Sequence, residues 1–420
     1  MKVMVVGGGG REHAIVKKLR ESSRVTELYA LPGNGGIAAD ATCVDIGAKD
    51  MEGLVRFALE KGIDFAVVGP DDPLVLGAVD ALTAAGIPAF GPDKKAAAIE
   101  GSKVFSKELM KKYGIPTAGY EVFHRTQDAL RYLETAPLPA VVKADGLALG
   151  KGVVIAQTRQ EAQAAVRAMM EEKIFGESGS RVVIEEFLTG PEVSVLAFTD
   201  GRTLAPMVSS MDHKRVGDGD QGPNTGGMGT VAPNPYYTDD IARQCMDTIF
   251  LPTIRAMEAE GRPFQGCLYF GLMLTPLGPK VIEYNCRFGD PETQVVLPLL
   301  EGDLLEIMEA CVRKTLTPEQ VRVRPGAACC VIAASGGYPG KYDTGYEITL
   351  PQDGEAAVYV AGARLEGGRL LTAGGRVLGV TAVAGTLADA VREAYRGIGR
   401  VSFQGCHYRQ DIGKRALEAL

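Results

Sequence analysis

Within Lys280-Val-Ile-Glu283-Tyr-Asn285-Cys-Arg287-Phe-Gly-Asp290-Pro-Glu292, polar and apolar residues alternate. A strand of period two projects Glu283, Asn285 and Arg287 from one face and Ile282, Tyr284 and Cys286 from the other. A carboxylate buried without a partner is costly, which favours a bound ligand over a purely structural network. Carboxylate and amide oxygens are hard donors suited to Mg²⁺, which commonly takes one or two protein ligands and completes its shell with phosphate oxygens and water. Arg287 beside them can stabilise a phosphoryl group in transfer.

Two glycine loops add N–H donors and cations. Lys143-Ala-Asp-Gly146-Leu-Ala-Leu-Gly150-Lys151-Gly152 lies between two apolar runs. A Walker loop requires GxxxxGK, then Ser or Thr, then a helix. Here the first glycine is one residue too close, Gly152 follows the lysine, and a strand comes next. Such a hairpin either folds over a triphosphate, with charge from Lys143 and Lys151, or is a plain surface hairpin. At the amino terminus, Gly7 to Gly10 follow the strand KVMVV and open a helix, offering free N–H groups to a phosphate beside Arg11. Gly7-x-Gly9 begins a dinucleotide fingerprint, but its sixth position is Glu12, and the second strand ends in Leu31-Pro32-Gly33 where an acidic ribose ligand belongs. A nicotinamide site is therefore disfavoured. A third run, Glu185-Glu186-Phe187-Leu188 followed by Gly190-Pro191-Glu192, suits either an adenine edge with a carboxylate on the ribose, or an edge strand with solvated charges.

The elements that must position these groups follow from periodicity. Strands at 2–6, within 26–36, within 63–74 and within 86–92 alternate with helices at 12–19, 51–61 and 76–85, which predicts a right-handed parallel sheet with ligands at its carboxyl-end loops. A helix pair closes at Gly114. Strand, glycine loop, strand, a helix at 159–173 and RVVIEEFL at 181–188 predict a small antiparallel lid flanked by helices. A strand at 192–201, a glycine-rich loop at 211–229, a helix at 239–260 and the strand pair CLYFGLML and KVIEYNCRF predict a mixed α+β core. Short strands and a helix at 387–398 follow Arg324-Pro325-Gly326.

At 420 residues the chain is long enough for roughly three compact units of about 150 residues. Its net charge of -7 argues against a nucleic-acid surface. Eight cysteines, scattered without dense spacing or a CxxC pair, fit a reduced cytoplasm. There is no export signal in MKVMVVGGGG and no run near the ~20 apolar residues of a membrane span. Small-molecule ligands are expected, without nucleic acid or membrane.

Eight segments occur in order at compatible spacing: GGGREHA (8–14), PGNGG (32–36), VVGPDDPL (67–74), GSKVFSK (101–107), VVKADGLALGKGV (141–153), EEFLTGPE (185–192), DHKRVGDGDQGPNTGGMG (212–229) and EYNCRFGDPETQ (283–294). Together they resemble, almost end to end, the glycinamide ribonucleotide synthetase (phosphoribosylamine-glycine ligase) family of the ATP-grasp superfamily. The resemblance implies a multidomain α/β and α+β chain. An N-terminal Rossmann-like substrate domain takes 1–100, a central ATP-grasp domain 101–122 and 193–325, an ATP-grasp lid 123–192, and a small β-rich domain 326–420.

By the same resemblance, ATP lies between lid and central domains. Lys103 and Lys143 would touch phosphates, with Gly146, Gly150, Lys151 and Gly152 closing over them. Glu185, Glu186 and Leu188 would meet adenine, and Glu192 the ribose. Glu283 and Asn285 would hold Mg²⁺ or Mn²⁺, although Gly271 stands on the preceding strand where many ATP-grasp ligases carry another acidic ligand. The ribosylamine phosphate falls to Gly8, Gly9, Gly10, Arg11, Glu12, Asn34, Gly35 and Gly36, with Pro70, Asp71, Lys214 and Arg287 completing the substrate set. Glycine falls near Asp212, Arg287 and Asp290, and the implied catalytic set is Arg287, Lys143, Asp212 and Asp290.

The implied reaction phosphorylates glycine to glycyl phosphate, which the amine of 5-phosphoribosylamine attacks to give glycinamide ribonucleotide, ADP and phosphate. Neither step needs a protein nucleophile, in keeping with only four histidines and no GxSxG elbow. Acyl phosphates hydrolyse, so the lid excludes water, and the 211–229 loop with its six glycines is expected as a second cover. The closest rival is another ATP-grasp carboxylate-amine ligase or carboxylase acting on a different acid. A silent ATP-binding regulator is disfavoured because Lys143, Glu283, Asn285 and Arg287 are all present. A monomer is expected, a dimer being the alternative.

Overall fold

The computed structural model describes residues 1–148, 152–350 and 356–420, so Gly150 and Lys151 of the expected phosphate loop lie outside the described residues. Val3 to Val6 are fully buried. A strand covered on both faces belongs in a parallel sheet. Accordingly β1 (Lys2–Gly7) pairs in parallel with β2 (Glu27–Pro32) and joins β3 (Thr42–Cys43), β4 (Phe65–Val68) and β5 (Ala89–Phe90) in the order β3-β2-β1-β4-β5. The strand order reverses at β1, and the crevice of such a sheet opens between the carboxyl ends of β1 and β4. Helices α1 (Gly10–Leu19) and α2 (Met51–Lys61) are crossovers. The helix expected over 76–85 is instead two, α3 (Asp71–Leu76) and α4 (Ala78–Ala84). Gly77 between them has φ +96°, a left-handed conformation that ends a helix and favours glycine.

Helices α5 (Lys94–Gly101) and α6 (Lys103–Tyr113) follow, and the Ser102 side chain caps α6 by accepting from the Phe105 N–H. A second sheet is built from β6 (Tyr120–Phe123), β7 (Ala140–Ala144), β8 (Val153–Ala156) and β9 (Val182–Glu186), all antiparallel, in the order β6-β9-β7-β8. Helices α7 (Thr126–Leu133) and α8 (Arg159–Met170) cover one face. Val142, Ile184, Val166 and Met169 make its separate core.

The chain then forms β10 (Glu192–Thr199), β11 (Leu204–Pro206), β12 (Met211–Asp212), the hairpin β13 (Arg215–Gly217) and β14 (Gln221–Asn224), and β15 (Gly229–Ala232). The helix expected over 239–260 is present, running without interruption through α9 (Asp239–Cys245), one wider π turn at Met246–Phe250, and α10 (Leu251–Ala259). Strands β16 (Gly266–Thr275) and β17 (Gly278–Asn285) complete a third sheet, β11-β10-β16-β17. After α11 (Thr293–Val296) and α12 (Leu304–Arg313) come β18 (Ala327–Ala334), β19 (Ala357–Val360), the hairpin β20 (Ala363–Glu366) and β21 (Arg369–Thr372), β22 (Arg376–Ala384) and α13 (Leu387–Ile398). The last large sheet runs β12-β15-β18-β22-β19. Strands on either side of the glycine-rich 213–228 stretch therefore share a sheet with the C-terminal strands. Among the described residues no helix is long and apolar enough to cross a membrane.

Candidate functional site

Lysines gather where the second and third sheets meet. Lys143 on β7 sits 3.0 Å from Glu185 Oε1 on β9, while Lys107 on α6 sits 3.0 Å from Glu185 Oε2. All three side chains are buried. Lys107 also donates to Thr117 Oγ1 (2.8 Å), whose hydroxyl donates to the Val281 carbonyl on β17 (2.8 Å). Burial pulls the Lys107 ammonium down to about 8 against the opposing pull of Glu185. Lys143 donates to the Ile282 carbonyl as well (3.1 Å). That carbonyl is free for a specific reason. Gly271 pairs with Glu283 and Leu272 with Val281, so Ile282 is the extra residue of a bulge.

The expected stripe is present: from Glu283 to Phe288, partly exposed Glu283, Asn285 and Arg287 alternate with buried Tyr284, Cys286 and Phe288. Tyr284 fixes the apolar face through a hydroxyl contact of 2.8 Å with Thr253 on α10. Lys214 Nζ stands 3.3 Å from Glu283 Oε1. Lys214 first, then Lys143 and Lys103, holds the Glu283 carboxyl down to about 2 against burial. Lys103 itself is lowered by burial and by Lys143, and it donates to the Gly146 carbonyl at 3.1 Å. Three ammonium groups thus converge on one carboxylate, and the surplus positive charge calls for a polyanion. Gly271 lies directly across from Glu283, and a Cβ there would be 3.0 Å from its Cγ. The ionised Glu283 and the Asn285 carbonyl oxygen, on one strand face, fit a small hard cation that takes its remaining ligands from phosphate and water.

Arg287 is held by Glu100 (3.0 Å) and donates to Asn285 Oδ1 (3.2 Å) and the Phe288 carbonyl (3.3 Å). Glu100 also accepts from the Cys286 N–H at 2.7 Å. Glu186, one residue beyond Glu185, faces outward to Lys280 (3.1 Å) and the Gly119 N–H (2.9 Å). Leu188 is half-buried, and Glu192 is exposed at the start of β10.

The N-terminal loops meet at the carboxyl ends of β1 and β4. Glu12 is buried and spent inside its own loop, accepting from the Gly9 N–H (2.7 Å) and Arg11 Nε (2.6 Å). Gly7, at φ +122°, gives that side chain room. Asn34 donates to the carbonyls of Gly8 (2.9 Å) and Val360 (2.7 Å) and accepts from the Gly36 N–H, while the Gly35 N–H bonds Ala363. Pro70 and Asp71 open α3 beside them. Against the desolvation of burial, Arg287 and Arg11 hold the Asp71 carboxyl below its usual range. Gly8, Gly9 and Gly10 lead into α1, whose first turn presents backbone N–H groups.

Asp212 and Asp290 lie where these two regions join. Asp290 accepts from the Arg11 N–H (3.3 Å) and from Gln294 Nε2 (2.8 Å). Burial and then Glu292 push the Asp212 carboxyl well up. Glu292 is buried with Tyr269 OH at 3.2 Å and Ser194 Oγ at 3.3 Å. Arg376 on β22 donates to the carbonyls of Gly226 (2.9 Å), Gly227 (3.3 Å) and Asp290 (2.8 Å). The 211–229 stretch, expected as a cover, is pinned further by Arg409, which donates to the Arg215 carbonyl (3.0 Å) and Asp220 (2.9 Å). Lys107, Glu100, Glu292, Gln294 and Arg376 escaped the sequence reading. Lys107, Glu292 and Gln294 stand in motifs already singled out, whereas nothing local marks Arg376.

The chain matches the sequence family described as phosphoribosylglycinamide synthetase, N domain, over residues 1–100, its ATP-grasp (A) domain over 101–293 and its C domain over 328–415. A phosphoribosylamine–glycine ligase of Caldanaerobacter subterraneus is 49% identical over 413 residues, covering 98% of this chain and 99% of that protein. Among solved structures, a phosphoribosylamine–glycine ligase of Thermotoga maritima superimposes with a TM-score of 0.86 at 36% identity, covering 98% of this chain and all of that one. The biotin carboxylase domain of a Hydrogenobacter thermophilus 2-oxoglutarate carboxylase, in complex with MgADP and bicarbonate, shares the fold at 17% identity and a TM-score of 0.75, covering 97% and 91%.

Proposed function

The chain belongs to the phosphoribosylglycinamide synthetase family, and from that membership we propose which of its residues carry the ATP-dependent ligation of glycine to phosphoribosylamine. The activity is that of an ATP-dependent carbon–nitrogen ligase of purine biosynthesis. The observation that supports the residue assignment best is the convergence of Lys103, Lys143 and Lys214 on Glu283. A triphosphate with its divalent metal supplies the charge this cluster lacks.

In this reading Glu283 and Asn285 would hold the metal, taken as Mg²⁺, which when bound would supply positive charge to the phosphate oxygens. Lys103 and Lys143 neutralise phosphate oxygens. The pair Lys107 and Lys143 grips both carboxylate oxygens of Glu185 and orients it at the adenine side. Arg287, fixed by Glu100, bears on the phosphoryl group passing to the glycine carboxylate. Asp212 and Asp290 line the amino-acid end, and Arg11 with the N–H groups of Gly8 and Gly10 takes the ribosylamine phosphate. No protein nucleophile is required, because positioning and charge stabilisation suffice for both steps. The second sheet acting as a lid, together with the pinned 211–229 stretch, would exclude water from the acyl phosphate. A reducing cytoplasm, in keeping with eight free cysteines, and a monomer complete the reading.

The test is to follow ADP with ATP, Mg²⁺, glycine and freshly made phosphoribosylamine. Release that requires both co-substrates supports the function. Release indifferent to either one contradicts it.

A further inference from the structure

Gln294 is 1% exposed, and its amide nitrogen donates to Asp290 Oδ1 at 2.8 Å. Because a carboxylate can only accept, that bond fixes the amide orientation. The other end, Oε1, is then a buried acceptor without a hydrogen-bond partner among the described residues. Leaving a buried carbonyl unpaired costs about 1–3 kcal/mol, so such an atom needs an explanation. Its position suggests one. A Cβ on Gly10 would fall 2.7 Å from Gln294 Nε2 and 3.6 Å from Asp290 Oδ1, which puts the amide at the first turn of α1, beside the loop assigned to the ribosylamine phosphate. Asp290 Oδ2 accepts from the Arg11 N–H, and the adjoining Phe288 carbonyl accepts from Arg287 of the phosphoryl-transfer side. Asp290 and Gln294 therefore stand between the two halves of the site.

We propose that Asp290 and Gln294 form a two-acceptor cradle for the primary amine of the ribosylamine. The inference rests on the ligase reading above. A neutral amine carries two N–H donors and one lone pair. Holding one N–H on the Asp290 carboxylate and the other on Gln294 Oε1 turns the lone pair toward the acyl carbon. As the C–N bond forms, the C–O bond to the phosphoryl group breaks with its electron pair, and the amine's surplus proton leaves with the departing phosphate. An ammonium would have no lone pair to present, and a hydroxyl nucleophile would leave one acceptor unmet. The cradle therefore also selects an amine over an alcohol. Gln294 is in this account a positioning residue.

The experiment compares two nucleophiles on Gln294→Met, which keeps volume but removes both amide groups. Hydroxylamine, small enough to reach the acyl phosphate without the cradle, reports glycine activation as glycyl hydroxamate. Phosphoribosylamine reports the full reaction. The expected result is a loss of about 100-fold in kcat with phosphoribosylamine, with hydroxamate formation kept within about twofold. Equal losses with both nucleophiles, or no loss with either, overturn the cradle. Gln294→Asn, which keeps the amide but draws it back by one methylene, should show the same split if the methionine variant does not fold. If the unmodified protein forms no glycine-dependent hydroxamate, the ligase reading itself fails, an outcome distinct from failure of the cradle.

Discussion

The guanidinium groups of Arg11 and Arg287 donate to the same oxygen, the carbonyl of Phe288, at 3.2 and 3.3 Å. One arginine opens the N-terminal phosphate loop and the other ends the metal-side stripe, 276 positions later in the chain. This shared acceptor ties together the two loops proposed to hold the ribosylamine phosphate and the phosphoryl group in transfer. Arg11→Ala should therefore raise the KM for phosphoribosylamine by about tenfold or more, the size of a lost charge-assisted contact, while the KM for ATP moves little. Steady-state kinetics with each substrate varied in turn decides it, and equal shifts in both constants would count against the placement.

Glu283 is the one carboxylate at the focus of three lysines. Glu283→Gln combined with Asn285→Ala should lower kcat by roughly 100-fold or more, as expected when charge stabilisation at a transferring phosphoryl group is removed. The midpoint of metal activation should move to higher Mg²⁺, with the far-ultraviolet circular dichroism unchanged. Undiminished turnover would remove these two residues from the metal site. Because Glu283 is held down to about 2, its own protonation should not weaken metal binding between pH 8 and pH 5.

Lys107 offers a test at higher pH. Its ammonium is lowered to about 8 from 10.5. Below pH 8 both folded and unfolded chains carry the proton, and the cost of burying it is fully present. Between pH 8 and 10.5 the unfolded chain binds more protons, so this residue's contribution to stability rises with pH. Lys107→Met should lack that rise in urea unfolding followed across the window. It should also raise the KM for ATP by roughly tenfold at pH 7, because Glu185 keeps only Lys143 as a cation. A variant whose stability tracks the parent across the window contradicts the assignment.

Arg376 ties Gly226, Gly227 and Asp290 together through backbone carbonyls. A lysine carries the charge but not the planar fork, so Arg376→Lys should not rescue the site. The expected outcome is a fall of about tenfold in kcat/KM for glycine, with the KM for ATP near its starting value. Isothermal titration with a non-hydrolysable ATP analogue checks that nucleotide affinity survives. Weakened nucleotide binding would mean that Arg376 supports the whole cleft rather than the amino-acid end.

Much of this site was legible in the sequence because its pattern is local. The period-two stripe at 283–287 and the strand, glycine turn and helix at 2–19 each depend on neighbours a few residues away, and both are present. The bulge at Ile282 was not visible, since a bulge is set by pairing across strands. Gly77 was read as part of a helix because glycine weakens a helical pattern without cancelling it, while its left-handed φ appears only in three dimensions. Glu100 and Arg376 were missed for a topological reason. Glu100 ends a helix whose role is to reach Arg287, and Arg376 acts on carbonyls 86 to 150 positions away. No spacing rule connects such pairs.

The central claim is that the glycine carboxylate is activated by phosphorylation before the amine attacks it. Glycine whose carboxylate carries heavy oxygen distinguishes this route directly. With ATP, Mg²⁺ and phosphoribosylamine present, mass spectrometry of the released phosphate should find one heavy oxygen for each amide formed, because the bridging oxygen of the acyl phosphate leaves with phosphorus. Phosphate free of heavy oxygen, with amide still produced, would contradict the account.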